Sequence, residues 1–263
     1  MNATADAAPA VPPARSAPWV AAGILLSRIA GLVRTRVFAH YFGNSLFADA
    51  FNAALRVPNI LQNLLGEGTL SASFIPVYAE LVEQRRGEEA GRVAGAVFAL
   101  LLAVAGGLAL LGVLAAPLLV DVFAPGFEGE RRALTVQLVR ILFPMTGLLV
   151  LSAWALGILN SHRQFFLPYV APVLWNAAMI ATLVALGSRL DVRSLVLALG
   201  WGALLGGALQ FAVQLPRVLA LEPGLRPRWD LGRPEVREAV RNAGPAILGR
   251  GVVQLGGMVD LFL

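Results

Sequence analysis

Six polar residues in one stretch of the chain, Asp49, Asn52, Arg56, Asn59, Asn63 and Glu67, are separated by 3, 4, 3, 4 and 4 positions. On an α-helix that spacing places all six on one face. Phe51, Leu55, Val57, Leu61 and Leu65 fill the other face, which suits lipid or protein. A weaker version of the pattern comes earlier, with Ser27, Arg28, Gly31, Arg34 and Thr35 along one side and Ile24, Ile29, Leu32 and Val33 on others. In these stripes Arg28, Arg34 and Arg56 outnumber Asp49 and Glu67, so the surplus charge favours an anion. Guanidinium groups stay protonated and can grip phosphate through two parallel hydrogen bonds, which makes a pyrophosphate a fitting ligand. The plainer alternative is that these groups pair with one another to hold the helices together; six positions in register weigh against it.

The elements that must position these residues are membrane spans. The chain of 263 residues is 57% hydrophobic and 14% charged, with a mean hydropathy of +0.71, which excludes an ordinary soluble enzyme with a water-facing skin. Charge-free runs cover 93–120, 141–161, 164–188 and 194–216. Each can cross a bilayer core, which takes about 20 helical residues. No segment alternates as a membrane barrel strand does, so the spans are expected to be helices that satisfy their own backbone groups. Two further spans, roughly 18–42 and 47–67, hold the polar stripes, and a seventh is expected from Asn242 to Leu263. An arginine at a bilayer centre costs from about 2.5 to more than 10 kcal/mol, so Arg28, Arg34 and Arg56 are expected to face water or a partner. Pro58, in the middle of the second span, should kink it and free a carbonyl. The expected fold class is an all-α, polytopic membrane helix bundle.

All 21 basic residues are arginine, a usage that reads as a genomic composition bias. The net charge of +5 calls for a membrane reading before a nucleic-acid one, because several arginines stand inside apolar runs. With the N-terminus in the cytoplasm, eleven arginines fall on cytoplasmic connections and four on the opposite side, so the positive-inside rule favours that orientation. The expected organisation is a disordered Ala/Pro-rich tail over 1–17, a six-helix lobe over 18–216, a basic cytoplasmic connection over 217–241 and the start of a seventh helix over 242–263. Within the connection, PEVREAVRNAG could form a helix on the membrane surface. A seventh span with no polar flank suggests the first part of a longer polypeptide.

Other features carry less chemistry. His40 and His162 lie near span ends with no second ligand at metal spacing, and are expected at interfaces. The pairs Gly91/Gly95 and Gly202/Gly206 suit close helix contacts. Trp154, Trp175 and Trp201 read as packing or interfacial anchors. The chain has no cysteine, no phosphate-binding Gly-rich loop ending in Lys, no Gly-x-Ser-x-Gly and no HExxH. It therefore offers no visible site for nucleotide hydrolysis or a familiar hydrolase, and neither a metal nor a cofactor is expected.

The run SRIAGLVRTRVFAHYFG, followed by ADAFNAALRVPNILQNLLGEGTLSASFIPVYAE, resembles the opening of the MurJ (MviN) lipid II flippases of bacteria. These belong to the MOP superfamily, which also holds MATE multidrug extruders and polysaccharide flippases. Downstream, Ala124-Pro125-Gly126-Phe127, RILFP from Arg140 to Pro144, GILNSHRQFFLPYVAPVLWN, GGALQFAVQLP and GPAILGRGVVQLGG resemble family segments in the same order, so that the likeness covers 18–263. The resemblance implies a MOP/MATE-like N-terminal lobe with a cationic central cavity. It also implies a multi-pass protein of the bacterial inner membrane that carries undecaprenyl-pyrophosphate-linked peptidoglycan precursor, lipid II, by alternating access. Residue by residue, Arg28 and Arg34 match the first-helix cavity arginines, Asp49 the second-helix aspartate, Asn59 the asparagine of the PN motif and Glu67 the glutamate of the [AG]EG motif. Some members carry arginines where this sequence has Gln62 and Asn63, and Arg56 is expected to compensate in part. The family's second lobe, with a further cavity arginine, and the last two helices, thought to hold the lipid tail, have no counterpart up to Leu263. The partners expected are lipid II, the missing C-terminal lobe and proteins of cell-wall synthesis at the basic connection.

Two other readings compete. A related exporter of another lipid-linked oligosaccharide or a cationic drug would share the fold, although the net positive stripes argue against the drug. A membrane enzyme acting on prenyl pyrophosphates would need Asp49 and Glu67 to share a metal, but 18 residues of helix separate them by about 27 Å.

Overall fold

The computed structural model describes residues 17–262, with side chains over 18–251 except Trp19, Val57 and Glu67. The tail expected to be disordered therefore lies outside the described residues, apart from Ala17, which opens the first helix. Among the described residues every element is helical: α1 (Ala17–Phe42), α2 (Leu46–Leu65), α3 (Glu67–Glu83), α4 (Gly87–Leu114), α5 (Ala116–Phe123), α6 (Gly129–Ser161), α7 (Phe166–Leu186), α8 (Val192–Leu221) and α9 (Pro234–Phe262). Of these, α4, α6, α7 and α8 have the length and apolar composition to cross a membrane, matching the four charge-free runs. Leu25 and Leu32 on α1, Leu110 and Leu114 on α4, and Leu205 on α8 point away from the protein, as lipid-facing positions do.

α6 is the central post. It touches α2, α3, α4, α5, α7 and α8, and its Leu134, Leu138, Leu142, Phe143, Trp154 and Ile158 are fully or almost fully buried. α8 then packs on α7 and α7 on α1, while α9 packs on α3. The α7–α8 contact is close because Gly202 and Gly206 face it. A Cβ at Gly202 would lie 2.2 Å from Thr182 Oγ1, and one at Gly206 would lie 2.9 Å from Trp175 Cα. Gly91 and Gly95 do something different from the helix contact expected of them. They admit the segment after α8, where the Arg226 carbonyl oxygen comes within 2.1 Å of the Cβ position of Gly95.

The second span, expected over 47–67, ends as a helix at Leu65. Gly66 leaves helical geometry (φ −81°, ψ −145°) while its N–H still donates to the Gln62 carbonyl at 2.7 Å. A Cβ at Gly66 would meet that same oxygen at 2.4 Å, so the break needs a glycine. The Thr69 hydroxyl caps the Leu64 carbonyl left over by the break, and the helix resumes as α3 to Glu83. Glu67 accordingly does not complete the α2 stripe, because it opens the next helix. Three contacts advance together along both partners: Asp49 with Arg131, the Pro58 carbonyl with Thr146 at 3.4 Å, and Tyr78 with His162 at 2.8 Å. The α2–α3 pair thus runs parallel to α6 along its whole length. Thr146 thus ties α6 to α2 at the level of Pro58, whose missing N–H leaves the Ala54 carbonyl one turn earlier without its helical donor.

The remaining boundaries shift for local reasons. The run 93–120 is divided at Ala115, since Pro117 has no N–H to continue the ladder of α4 and sits instead in the first turn of α5. α8 extends to Leu221, and Pro234 opens α9 at a position where a missing N–H costs nothing. The stretch PEVREAVRNAG is the beginning of α9, continuous with the expected seventh span and not a separate surface helix. Only the short non-helical segment 222–233 separates α8 from α9.

Candidate functional site

The polar stripe of α2 is a real face of that helix. Asp49, Asn52, Arg56, Asn59 and Asn63 are all exposed, whereas Ala50, Phe51, Ala54 and Pro58 are buried and Leu55 and Leu61 pack against the core. Its inner half borders a cavity of about 510 Å³ closed by α1, α6, α7 and α8. Arg34 reaches this cavity from α1, half-buried, with Cζ 4.9 Å from the ring centroid of Trp175 on α7. Asn59, Gln62 and Asn63 supply the α2 wall, and Ser152 and Gln210 the opposite one. Gln210 and the buried Gln214 both donate to Ser152 Oγ, at 3.2 and 2.6 Å, which fixes the polar groups of that wall. The Trp175 ring is itself held, its Nε1 donating to Met145 Sδ at 3.3 Å.

Arg34 and Asn59 are therefore brought together, and the other expected residues are not. Arg28 is exposed and does not line the cavity. Six residues separate it from Arg34, which on a helix is about 9 Å of rise and a turn of roughly 120° around the axis. Arg56 is exposed one turn from Asn59, on the same face but outside the lining. Asp49 sits at the far end of α2, where it pairs with Arg131 of α6 at 2.5 Å, and that guanidinium also covers the Phe127 ring at 3.8 Å. The Glu67 side chain lies outside the described residues. No carboxylate among the described side chains pairs with Arg28, Arg34 or Arg56. No group of three or more metal-ligating His, Asp or Glu side chains occurs among the described residues.

Several residues of the site were absent from the sequence reading. Gln210 and Gln214 stand one turn apart inside a charge-free run, and polar residues at that depth are a signal in themselves. Next to the main cavity lies a second one, of about 350 Å³, bordered by Gln62, Asn63, Gly68, Ser71 and Arg250. Gln62 and Asn63 thus stand between two guanidinium groups, Arg34 in the main cavity and Arg250 of α9 in the second, while Arg56 lines neither cavity. At the opposite end of the α3–α6 pair, the buried Tyr78 donates to Glu222 Oε1 at 2.6 Å and meets His162 Nε2 at 2.8 Å. This ties α3, the α6–α7 turn and the end of α8 into one knot.

Apolar helices around a polar, arginine-bearing cavity define an all-α, polytopic membrane helix bundle. A family profile described as "Lipid II flippase MurJ" matches residues 38–263, and the chain belongs to that family. It is 36% identical over 242 residues to the lipid II flippase MurJ of Burkholderia cenocepacia, covering 90% of this chain and 46% of the relative. It is 35% identical over 254 residues to the probable lipid II flippase MurJ of Bdellovibrio bacteriovorus, covering 94% and 48%. Among solved structures, "Lipid II flippase MurJ, inward closed conformation" superposes with a TM-score of 0.74 at 25% identity, over 92% of this chain and 49% of that one. A MOP superfamily transporter from Pyrococcus furiosus shares the fold, with a TM-score of 0.71 at 17% identity over 94% and 54%. The chain spans about half the length of the curated relatives it matches. Family and apolar helices together make it a multi-pass protein of the bacterial inner membrane.

Proposed function

We propose that the chain is the N-terminal lobe of a lipid II flippase, with the Arg34 cavity taking the pyrophosphate of the undecaprenyl-linked peptidoglycan precursor. The observation that carries this reading is the state of Arg34. It is half-buried at the wall of a 510 Å³ cavity, has no carboxylate partner among the described side chains, and is held against Trp175 with amide and hydroxyl groups opposite. A guanidinium withdrawn from water and left without a counter-ion is poised to bind an anion, and its fork matches phosphate oxygens. Asn59, Gln62, Asn63 and Gln210 add donors that hydrogen-bond phosphate or sugar without adding negative charge.

Transport would follow from a population shift between cavities open to the cytoplasm and to the outside, this lobe moving against a second one. Arg28 and Arg56, outside the cavity in this arrangement, would meet the headgroup or the second lobe in another. The Asp49–Arg131 pair joins α2 to α6 at one end and would be exchanged as the lobe changes state, with Glu67 taking a comparable part near the α2–α3 break. The N-terminus would be cytoplasmic, as the arginine distribution favours. The cargo is moved and not chemically changed, so the protein would act as a transporter without a cofactor, and cell-wall synthesis proteins would dock on the basic segment after α8.

The test is rescue of a conditional flippase-depletion strain by this chain joined to a homologous second lobe, with membrane insertion verified. Rescue by the joined protein, lost in Arg34→Ala at equal expression, is the expected result. Full rescue by Arg34→Ala would remove the cavity from the mechanism.

A further inference from the structure

We propose that Arg250 forms a second phosphate-binding position beside the Arg34 cavity, so that a pyrophosphate-bearing cargo is met by two guanidinium groups carried on α1 and α9. The inference rests on the reading of the Arg34 cavity as a pyrophosphate site and adds to it a residue from the far side of the α2–α3 break.

Arg250, exposed in this structure, is the one charged residue in the apolar stretch of α9 between Asn242 and Val259, where an arginine is met by water, a partner or a ligand. Its surroundings supply polar groups but no described carboxylate. The guanidinium lies directly over Gly68, where a Cβ would fall 1.6 Å from Arg250 Cζ and Nη2. Any larger residue at 68 would occupy the seat of the guanidinium, and the α3–α9 contact is what brings the two together. The cavity beside it, about 350 Å³, is completed by Gln62, Asn63 and Ser71. Two amides and a hydroxyl around one guanidinium are hydrogen-bond donors without opposing charge, the donor set that suits a phosphoryl oxygen.

A shared wall with the main cavity makes this a subsite of the same cargo. Gln62 and Asn63 line both cavities, one bordered by Arg34 and the other by Arg250. A diphosphate lying along the Gln62–Asn63 wall would present oxygens to both arginines. α9 would then sense the cargo directly, since its hold on α3 includes the guanidinium that binds the phosphate.

The experiment is titration of the purified 263-residue chain in nanodiscs with inorganic pyrophosphate, followed calorimetrically at low and high salt, with helicity checked for each variant. Arg250→Ala should weaken binding about tenfold, the loss of one charge-assisted contact. Gly68→Val, which keeps the charge but fills its seat, should weaken binding in the same direction, and Arg250→Lys should retain part of it. If Arg34→Ala weakens binding while Arg250→Ala and Gly68→Val bind as the parent chain does, the subsite is overturned and the central cavity stands. If Arg250→Ala weakens binding and Arg34→Ala does not, the subsite stands and the central reading falls. Equal binding by all of them overturns both.

Discussion

Replacing Trp175 separates the two jobs the structure gives it, filling space and holding Arg34. The guanidinium carbon lies 4.9 Å from the ring centroid, inside the range of about 6 Å over which a cation feels an aromatic face. Such contacts contribute about 0.5–1 kcal/mol in water and about 2 when desolvated; for a half-buried arginine about 1 kcal/mol is the reasonable value. If that energy fixes the guanidinium where it binds an anion, losing it lowers pyrophosphate affinity about fivefold. Trp175→Leu removes the face and keeps apolar bulk, whereas Trp175→Phe keeps a face. Both lose the hydrogen bond from Nε1 to Met145, so the difference between them isolates the contact with Arg34. Pyrophosphate titration of both variants should place Phe near the parent chain and Leu about fivefold weaker. Equal affinities for the two variants would refute the reasoning, because the ring face would then not be positioning Arg34.

Gly206→Val should lower the thermal unfolding midpoint in detergent by an amount corresponding to about 1–3 kcal/mol of overpacking. The new Cβ would meet Trp175 backbone at 2.9 Å, which cannot swing aside; an unchanged midpoint would mean that α7 and α8 are less closely packed than described. Tyr78→Phe leaves the buried Glu222 carboxylate without its 2.6 Å donor and should destabilise by about 1–3 kcal/mol, read as a lower denaturation midpoint; no change would argue that the knot is not formed. The Asp191 carboxyl, which caps α8 by accepting from the Ser194 N–H, is held below the ordinary carboxylate value of 3.8 first by the Ser194 side chain and then by that N–H. Its contribution is therefore complete above about pH 4 and is lost as pH falls through the lower folded value. Midpoints measured from pH 6 to pH 2.5 should fall less steeply for Asp191→Asn than for the parent chain, and parallel profiles would count against the cap.

What could be read from the sequence divides along physical lines. Charge-free runs located α4, α6, α7 and α8, because the bilayer imposes a length on apolar segments that no tertiary contact alters. The α2 stripe was legible because helical periodicity is local. Its continuation to Glu67 was not, since only a backbone break at Gly66 separates that residue from the helix before it. Arg28 and Arg34 looked equivalent as two arginines on one apolar helix, yet six residues of helix turn them to different directions and only Arg34 meets the cavity. Arg34, Trp175, Ser152 and Gln210 come from four different helices, and their convergence depends on how α1, α6, α7 and α8 pack. No spacing in the sequence encodes that. The pairing of Asp49 with Arg131, 82 positions away, belongs to the same class of information.

The most direct test of the central claim compares two lipids on one protein. Undecaprenyl-pyrophosphate-linked muropeptide and undecaprenol, which lacks the pyrophosphate, are each titrated into the purified chain in nanodiscs, with Arg34→Ala alongside. The account predicts clearly tighter binding of the pyrophosphate lipid, a preference that shrinks in Arg34→Ala and with added salt. Equal affinity for the two lipids, or a preference untouched by Arg34→Ala, would contradict it.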